Sequence, residues 1–432
     1  MNIEGIPLNS NDSARAVGNI IVDEKLYTEP ARYHQLFTRL RAEAPLLWVE
    51  PDAYAPFWVV SKHADVQEVE LAKDNFLNAP RTLLRRTAVD EQIKKITGGR
   101  PFLLNNLTNM DGANHMAHRK LTQAWFMPAR LKAIEGELRG YARNYVDKMI
   151  AMGGECDFMR DVASWYPLRV VMHIMGVPAE DEPKMLQLTQ QIFGPDDPDI
   201  KTEKVDIIST VQSFFDYFEA LIAERRKNPA DDLATLISTA KVNGEPIGRQ
   251  EALSYLILAA TAGHDTTSST TAGGLLALIQ HPDQLAKLRD DLSLMPSAID
   301  EMLRWVSPVT HFFRTATRNY ELRGQTIREG EALMMCYPSA NRDEDVFEAP
   351  FSFDISRKPA RHVAFGYGPH VCLGQHLAKM EMRIFFEELL SRAESFELAG
   401  EPAWVESNFV GGLKRFPIRF KPRAGGSDKI AA

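Results

Sequence analysis

The chain has 432 residues, with 50 Lys+Arg against 58 Asp+Glu and a net charge of −8, which excludes a basic nucleic-acid binder as the default reading. Hydrophobic residues make up 44% and charged residues 25%, ordinary globular usage that rules out a disordered or collagen-like chain. Cys156, Cys336 and Cys372 are odd in number and far apart, which argues against a disulfide framework and for a reducing, cytoplasmic setting.

The first 24 residues mix Asn, Asp, Glu and Pro without an apolar run, so no signal peptide or membrane anchor is expected and residues 1–25 read as flexible. Residues 46–61 place two β-prone runs around a Pro/Asp/Ala/Pro segment, a hairpin pattern. From about 115 to 300 apolar residues recur at spacings of three and four, as in Leu131, Ile134, Leu138, Tyr141 and Tyr145. This predicts a series of helices broken near Pro128, Pro178, Pro183 and residues 194–199. The longest apolar stretch, Leu253 to Ile279, carries His264, Asp265 and a Thr/Ser run at its middle, so it reads as a buried helix and not a membrane span. Short strands divided by Gly324 and Gly330 follow, then a helix over 373–390, a Gly411–Gly412 turn and a flexible tail at 424–432. With no internal repeat, the pattern predicts a mainly α chain with small β-sheets (α+β), one domain spanning 1–432.

The chemistry concentrates in residues 365–374, FGYGPHVCLG. Cys372 immediately precedes a helical run, so free backbone N–H groups and the helix dipole favour its thiolate, while Gly368 and Gly374 allow close backbone approach. A lone Cys before a helix is more often a small buried hydrophobe. A second element, Ala262-Gly263-His264-Asp265-Thr266-Thr267, interrupts an apolar helix with an acid and hydroxyls that are costly to bury unless used. The Thr266 hydroxyl can reach the carbonyl of residue 262, four back, and open a groove. Glu301 and Arg304 share a helix face and, taken alone, read as an exposed pair worth roughly 0.2–0.5 kcal/mol. His115 and Arg119, four apart, and Arg314 after Phe312–Phe313 are further basic elements.

The spacing Phe-x-x-Gly-x-His-x-Cys-x-Gly resembles the haem-binding loop of the cytochrome P-450 family, and five elements over roughly residues 30 to 420 follow that family's order. The resemblance implies one P-450-type domain with haem b held between two long helices and Cys372 as axial thiolate, an electron-rich ligand that favours O–O cleavage. It implies Phe365 beside the sulfur, and His370, His115, Arg119 and Arg314 on the haem propionates. Asp265 and Thr266 carry over as a proton-delivery pair, and Glu301, Arg304 and Arg357 as a structural network. Ala262 and Val309 are expected against substrate. Segments 262–271, 340–344 and 372–379 look most like soluble bacterial members, notably the α-terpineol hydroxylase subfamily, while His264 departs from the apolar residue many members have there.

The implied activity is a monooxygenase that inserts one atom of O₂ into a C–H bond of a small hydrophobic molecule, terpenoid or aromatic, with neither nucleic acid nor membrane as partner. No G-x-G-x-x-G loop is present, so electrons are expected from a ferredoxin and its reductase. Lys120, Arg130, Arg342 and Lys379 are expected to form a basic docking patch. Segments 78–110, 185–198 and 309–313 are expected to line the pocket. The alternatives are a peroxide-using haem peroxygenase, which would not need the Asp265–Thr266 pair, a haem ligand sensor, and a cysteine hydrolase pairing Cys372 with His370 or His376.

Overall fold

Helix boundaries follow the punctuation in the sequence. In a computed structural model that describes residues 11–193, 197, 199 and 207–423, the helix Pro128–Ala151 starts with proline in its first turn, where no N–H is needed. It buries Leu131, Ile134, Leu138, Ala142, Tyr145, Val146 and Met149, the stripe that spacings of three and four dictate. That stripe and the helix Gln375–Arg392 pack together, stitched by Arg139 to Glu387 at 2.7 Å and to Glu388 at 3.2 Å, and by Arg383 to Glu135 at 2.6 Å.

The expected hairpin is present as strands Leu46–Val49 and Phe57–Val60, antiparallel with Trp48 opposite Trp58. It joins Ala332–Cys336, His311–Ala316 and Phe76–Leu77 in a five-stranded sheet. Alternation along the strands sends side chains to opposite faces. Phe57, Val59, Phe313 and Met334 meet the N-terminal helices, while Trp58, Val60, Leu333 and Met335 pack on the other face. A three-stranded sheet is formed by Ala393–Leu398, Pro417–Pro422 and Glu155–Asp157. The mainly α architecture with small sheets therefore holds.

Two expectations need correction. Residues 11–22 form a helix and not a flexible arm, because Val17, Ile20, Ile21 and Val22 give it an apolar face that is buried under the sheet. Asp23 then accepts from the Lys25 N–H to start the 3₁₀ turn Glu24–Thr28. Residues 1–10 and the tail 424–432 lie outside the described residues. The long apolar run is two helices, Arg249–Ala262 and Asp265–Gln280, divided at Gly263 and His264. Among the described residues no helix is long and apolar enough to cross a membrane.

Candidate active site

The loop before the proximal helix Gln375–Arg392 is closed by its own backbone: Cys372 N–H donates to Phe365 O at 2.9 Å and Val371 N–H to Gly368 O at 3.1 Å. Gly368 sits at φ +66°, and a Cβ there would come within 2.6 Å of the Glu70 carbonyl, so both backbone form and space require glycine. Gly374 has φ −85° and needs no special backbone. A Cβ on it would meet only the Cys372 sulfur, at 4.0 Å, so its contribution is room beside the sulfur.

The exposed surface of Cys372 faces an internal cavity of about 800 Å³. Burial pushes its thiol up, opposed by the Gly374 N–H, the Arg119 guanidinium and the Gln375 N–H. None of these is a histidine, the base that a cysteine hydrolase pairs with its thiol. Cys156 and Cys336 are buried, with thiols pushed well up, Cys156 to about 12, by the same desolvation, opposed at Cys336 only by the Val60 N–H.

Four of the expected basic residues converge at one end of this cavity. The His115 and His370 rings lie 3.9 Å apart between centroids, Arg119 donates to Val371 O at 2.8 Å, and Arg314 reaches in from the strand His311–Ala316. Burial, then the neighbouring His370 and Arg119, lowers His115 to about 4. Two acids that the sequence reading missed stand among them. Asp111 accepts from Asn78 N–H at 2.9 Å and lies 3.7 Å from His370. Glu70, 4% exposed, accepts from Arg314 at 3.0 Å and from Tyr337 OH at 2.6 Å.

Across the cavity, the helix break places Ala262 and Thr266 on the wall. The Thr266 hydroxyl donates to Ala262 O at 2.9 Å, the bond anticipated from the four-residue spacing. Asp265 has one buried oxygen without a partner. His264 is fully buried and turned away: its Nε2 donates to Ser164 O at 2.8 Å, and its Nδ1 lies 3.4 Å from both Thr189 Oγ1 and Asp265 Oδ1. Glu381 on the proximal helix is a further missed acid, 1% exposed, with one orphaned oxygen and a carboxyl pushed well up by burial.

Glu301 and Arg304 are not a solvated pair: both side chains are 1% exposed and bonded bidentately at 2.7 Å. Arg357 adds a third member at 3.1 Å, and Arg304 also donates to Asn341 O and Pro350 O.

Val309 lines the cavity with Phe312, Leu258, Leu104 and Leu107. The 78–110 segment also contributes Arg85 and Arg86, more charge than expected, but Arg85 pairs with Asp90 at 2.9 Å and Arg86 with Glu24 at 3.6 Å. Of segment 185–198, Gln191 and Ile192 line it, and residues 194–196 and 198 lie outside the described residues. The expected docking patch loses Arg342, which is 2% exposed, stacks on Trp305 and donates to Arg304 O and Trp305 O. Lys120 is exposed, while Arg130 pairs with Asp231 and Lys379 with Asp300.

Among the described residues no three His, Cys, Asp or Glu side chains are grouped to hold a metal ion. A metal at Cys372 would therefore arrive within a larger group, the protein adding one soft ligand. The cavity fits such a group: a thiol on its floor, a glycine cradle under Gly368, cations at one end and apolar walls elsewhere.

Comparison with known proteins agrees. The cytochrome P450 family model matches residues 27–403, and the chain belongs to that family, whose members bind haem b through a cysteine thiolate. It is a P450 monooxygenase among bacterial relatives. It is 44% identical to Cytochrome P450-terp of a Pseudomonas species over 91% of this chain and 95% of that protein. It is 32% identical to linalool 8-monooxygenase of Pseudomonas putida over 92% and 98%. The crystal structure of CYP108D1 from Novosphingobium aromaticivorans superposes with a TM-score of 0.89 at 45% identity, covering 97% of this chain and 99% of that one.

Proposed function

We propose that this chain hydroxylates a small apolar molecule, terpenoid or aromatic, with Cys372 as the axial ligand of haem b and electrons from a ferredoxin-type protein. The observation that carries the reading is a cavity of about 800 Å³ in which the Cys372 thiol lies under an apolar wall broken by Thr266. Bound there, the haem supplies reductive activation of dioxygen, with the balance R–H + O₂ + 2e⁻ + 2H⁺ giving R–OH + H₂O.

The protein's part is positional. Gly374 and Gln375 N–H groups and Arg119 stabilise the sulfur anion, and Phe365 lies beside it, its carbonyl bonded to the Cys372 N–H. His115, Arg119, Arg314 and His370, which line the polar end of the cavity, would hold the haem propionates. Ala262, Val309 and their apolar neighbours exclude water and seat the substrate. Because the Thr266 proton is committed to Ala262 O, its oxygen offers lone pairs to the groove and holds a proton-bearing water there. Asp265, with one oxygen free, passes protons from the far side of the helix break. The pair also favours monooxygenation over direct use of peroxide. Glu301, Arg304 and Arg357 hold the loop from behind. The free cysteines suit a cytoplasmic setting.

The test is an optical screen of ligands against the purified haem protein. Monoterpene alcohols and small aromatics are expected to bind far better than carboxylates of similar size, because each buried methylene contributes about 0.8 kcal/mol and an unpaired buried carboxylate costs several times that. A carboxylate as tightest binder, with affinity lost on changing Arg85 or Arg86, would overturn the apolar-pocket reading.

A further inference from the structure

Glu70 ends the helix His63–Leu71 with its carboxylate on the cavity floor. All its partners are donors: Oε1 accepts from Arg314 Nη2 at 3.0 Å and from Tyr337 OH at 2.6 Å, and Oε2 from the Tyr367 N–H. A carboxyl proton would find an acceptor only in the Tyr337 oxygen, and only at the loss of that hydroxyl's own donation, while Arg314 and the Tyr367 N–H can only donate, so the contacts together suit the ionised form. Burial pushes the carboxyl up, and Arg314, Tyr337 and Tyr367 oppose it.

Two of these partners belong to the candidate haem site. Arg314 is one of the four basic groups at the polar end of the cavity, and Tyr367 starts the 3₁₀ turn Gly368–His370 leading to Cys372. The helix is docked under that turn so closely that a Cβ on Gly368 would strike the Glu70 carbonyl. Arg314 is fixed from its other side by its bond to Phe313 O at 2.8 Å. A guanidinium neutralised by a buried carboxylate keeps its hydrogen bonds and its direction but loses most of its net positive potential.

We propose that Glu70 is a positioning residue for the prosthetic group: it aims Arg314 at the propionate end, clamps the Cys372 loop onto the helix His63–Leu71, and by its buried negative charge keeps the iron difficult to reduce. The proposal rests on the haem reading of the cavity. It assigns to the N-terminal third of the chain a part in tuning a group whose ligand lies three hundred residues later.

The experiment uses the haem-loaded full chain and measures the midpoint potential by spectroelectrochemistry, with the rate of haem transfer to excess apomyoglobin alongside. Glu70→Gln keeps an acceptor for Arg314 and Tyr337 while removing the charge, and Tyr337→Phe removes one donor while leaving the charge. The Gln variant is expected to be reduced about tenfold more favourably, which is 59 mV for a one-electron couple, and to release haem several-fold faster. Tyr337→Phe is expected to leave the potential in place. If both variants move the potential alike, packing and not charge accounts for it, and the proposal falls. If wild type carries thiolate-ligated haem and Glu70→Gln changes neither potential nor release, the role of Glu70 falls alone. If wild type takes up no haem, the functional reading falls and this inference with it.

Discussion

Behind the Cys372 loop most charged groups are paired, Glu381 being an exception, whereas the wall in front of it is largely apolar. On the proximal side Glu301, Arg304 and Arg357 share two oxygens among three side chains, and Arg139, Arg383, Glu135 and Glu387 bind the helices Pro128–Ala151 and Gln375–Arg392. In the distal helix Asp265 and Ser268, which do not line the cavity, each leave a buried oxygen unpartnered, while the lining Thr266, Thr267 and Thr270 hydroxyls donate to the helix backbone. Buried polar atoms without partners cost stability, and natural proteins keep them where water or substrate must be handled. One half of the site is built to hold a geometry, the other to exchange protons and ligands.

The comparison breaks most directly at the sulfur. Cys372→Ser is expected to abolish the thiolate-type spectrum of the ferrous carbonyl complex, while Cys156→Ala and Cys336→Ala leave it intact. Those two thiols are buried and pushed up by desolvation, with a single backbone donor, the Val60 N–H, at Cys336 and none at Cys156, against two and the Arg119 guanidinium at Cys372. A thiolate-type spectrum surviving in Cys372→Ser would remove the assignment.

The next effect in size lies in the paired half. Glu301→Ala or Arg304→Ala leaves an uncompensated buried charge, so a loss of about 3–5 kcal/mol is expected, with haem-depleted protein after purification. Arg419→Ala, at a pair more than half exposed, should cost below about 1 kcal/mol. Equal losses at the two places would mean that burial of the network contributes nothing.

How far the sequence foretold this division depends on what each residue needs. The Cys372 loop was legible because its chemistry demands fixed types at fixed spacing: a glycine where φ is +66°, a cysteine at a helix start. The Thr266 bond was legible because four residues separate donor and acceptor along one helix. Arg342 was misread because Asn341-Arg342-Asp343-Glu344 has the composition of a solvated turn, and only the fold places Trp305 under it. Glu70 and Glu381 were missed for the same reason, since an acid in a helical run carries no mark of burial until its neighbours arrive from elsewhere in the chain. The helix Asn11–Val22 escaped because its apolar face is only a few residues long.

In the exchanging half, removal of single groups should change efficiency before it changes stability. Asp265→Asn is expected to slow turnover at least about 10²-fold, the usual scale of a positioned acid or base. Thr266→Ala should keep oxidising the reduced cofactor while product per electron falls and hydrogen peroxide rises, because nothing then holds the proton-bearing water. The measurement is product formed against cofactor oxidised, with peroxide assayed alongside. Unchanged coupling and rate in both would reduce the pair to packing.

The smallest effect separates the halves by pH. His311, on the strand behind Phe312, is fully buried, and its Nε2 accepts the Leu84 N–H at 3.1 Å, which only a neutral ring can do. Burial, then the charge of Arg81, lowers it to about 3. The unfolded chain takes up the proton near its ordinary value of about 6.5, so this stabilisation is complete above that pH and is lost as pH falls towards the folded value. The slope is about 1.4 kcal/mol per pH unit, or roughly 2 kcal/mol between pH 6.5 and 5. His311→Gln keeps an acceptor for Leu84 and cannot titrate, so its denaturation midpoint should fall less than wild type between pH 7 and 5. A wild-type midpoint that falls no further than the variant's would show that acid loosens the protein elsewhere, and the distal wall would lose its claim to be the pH-sensitive half.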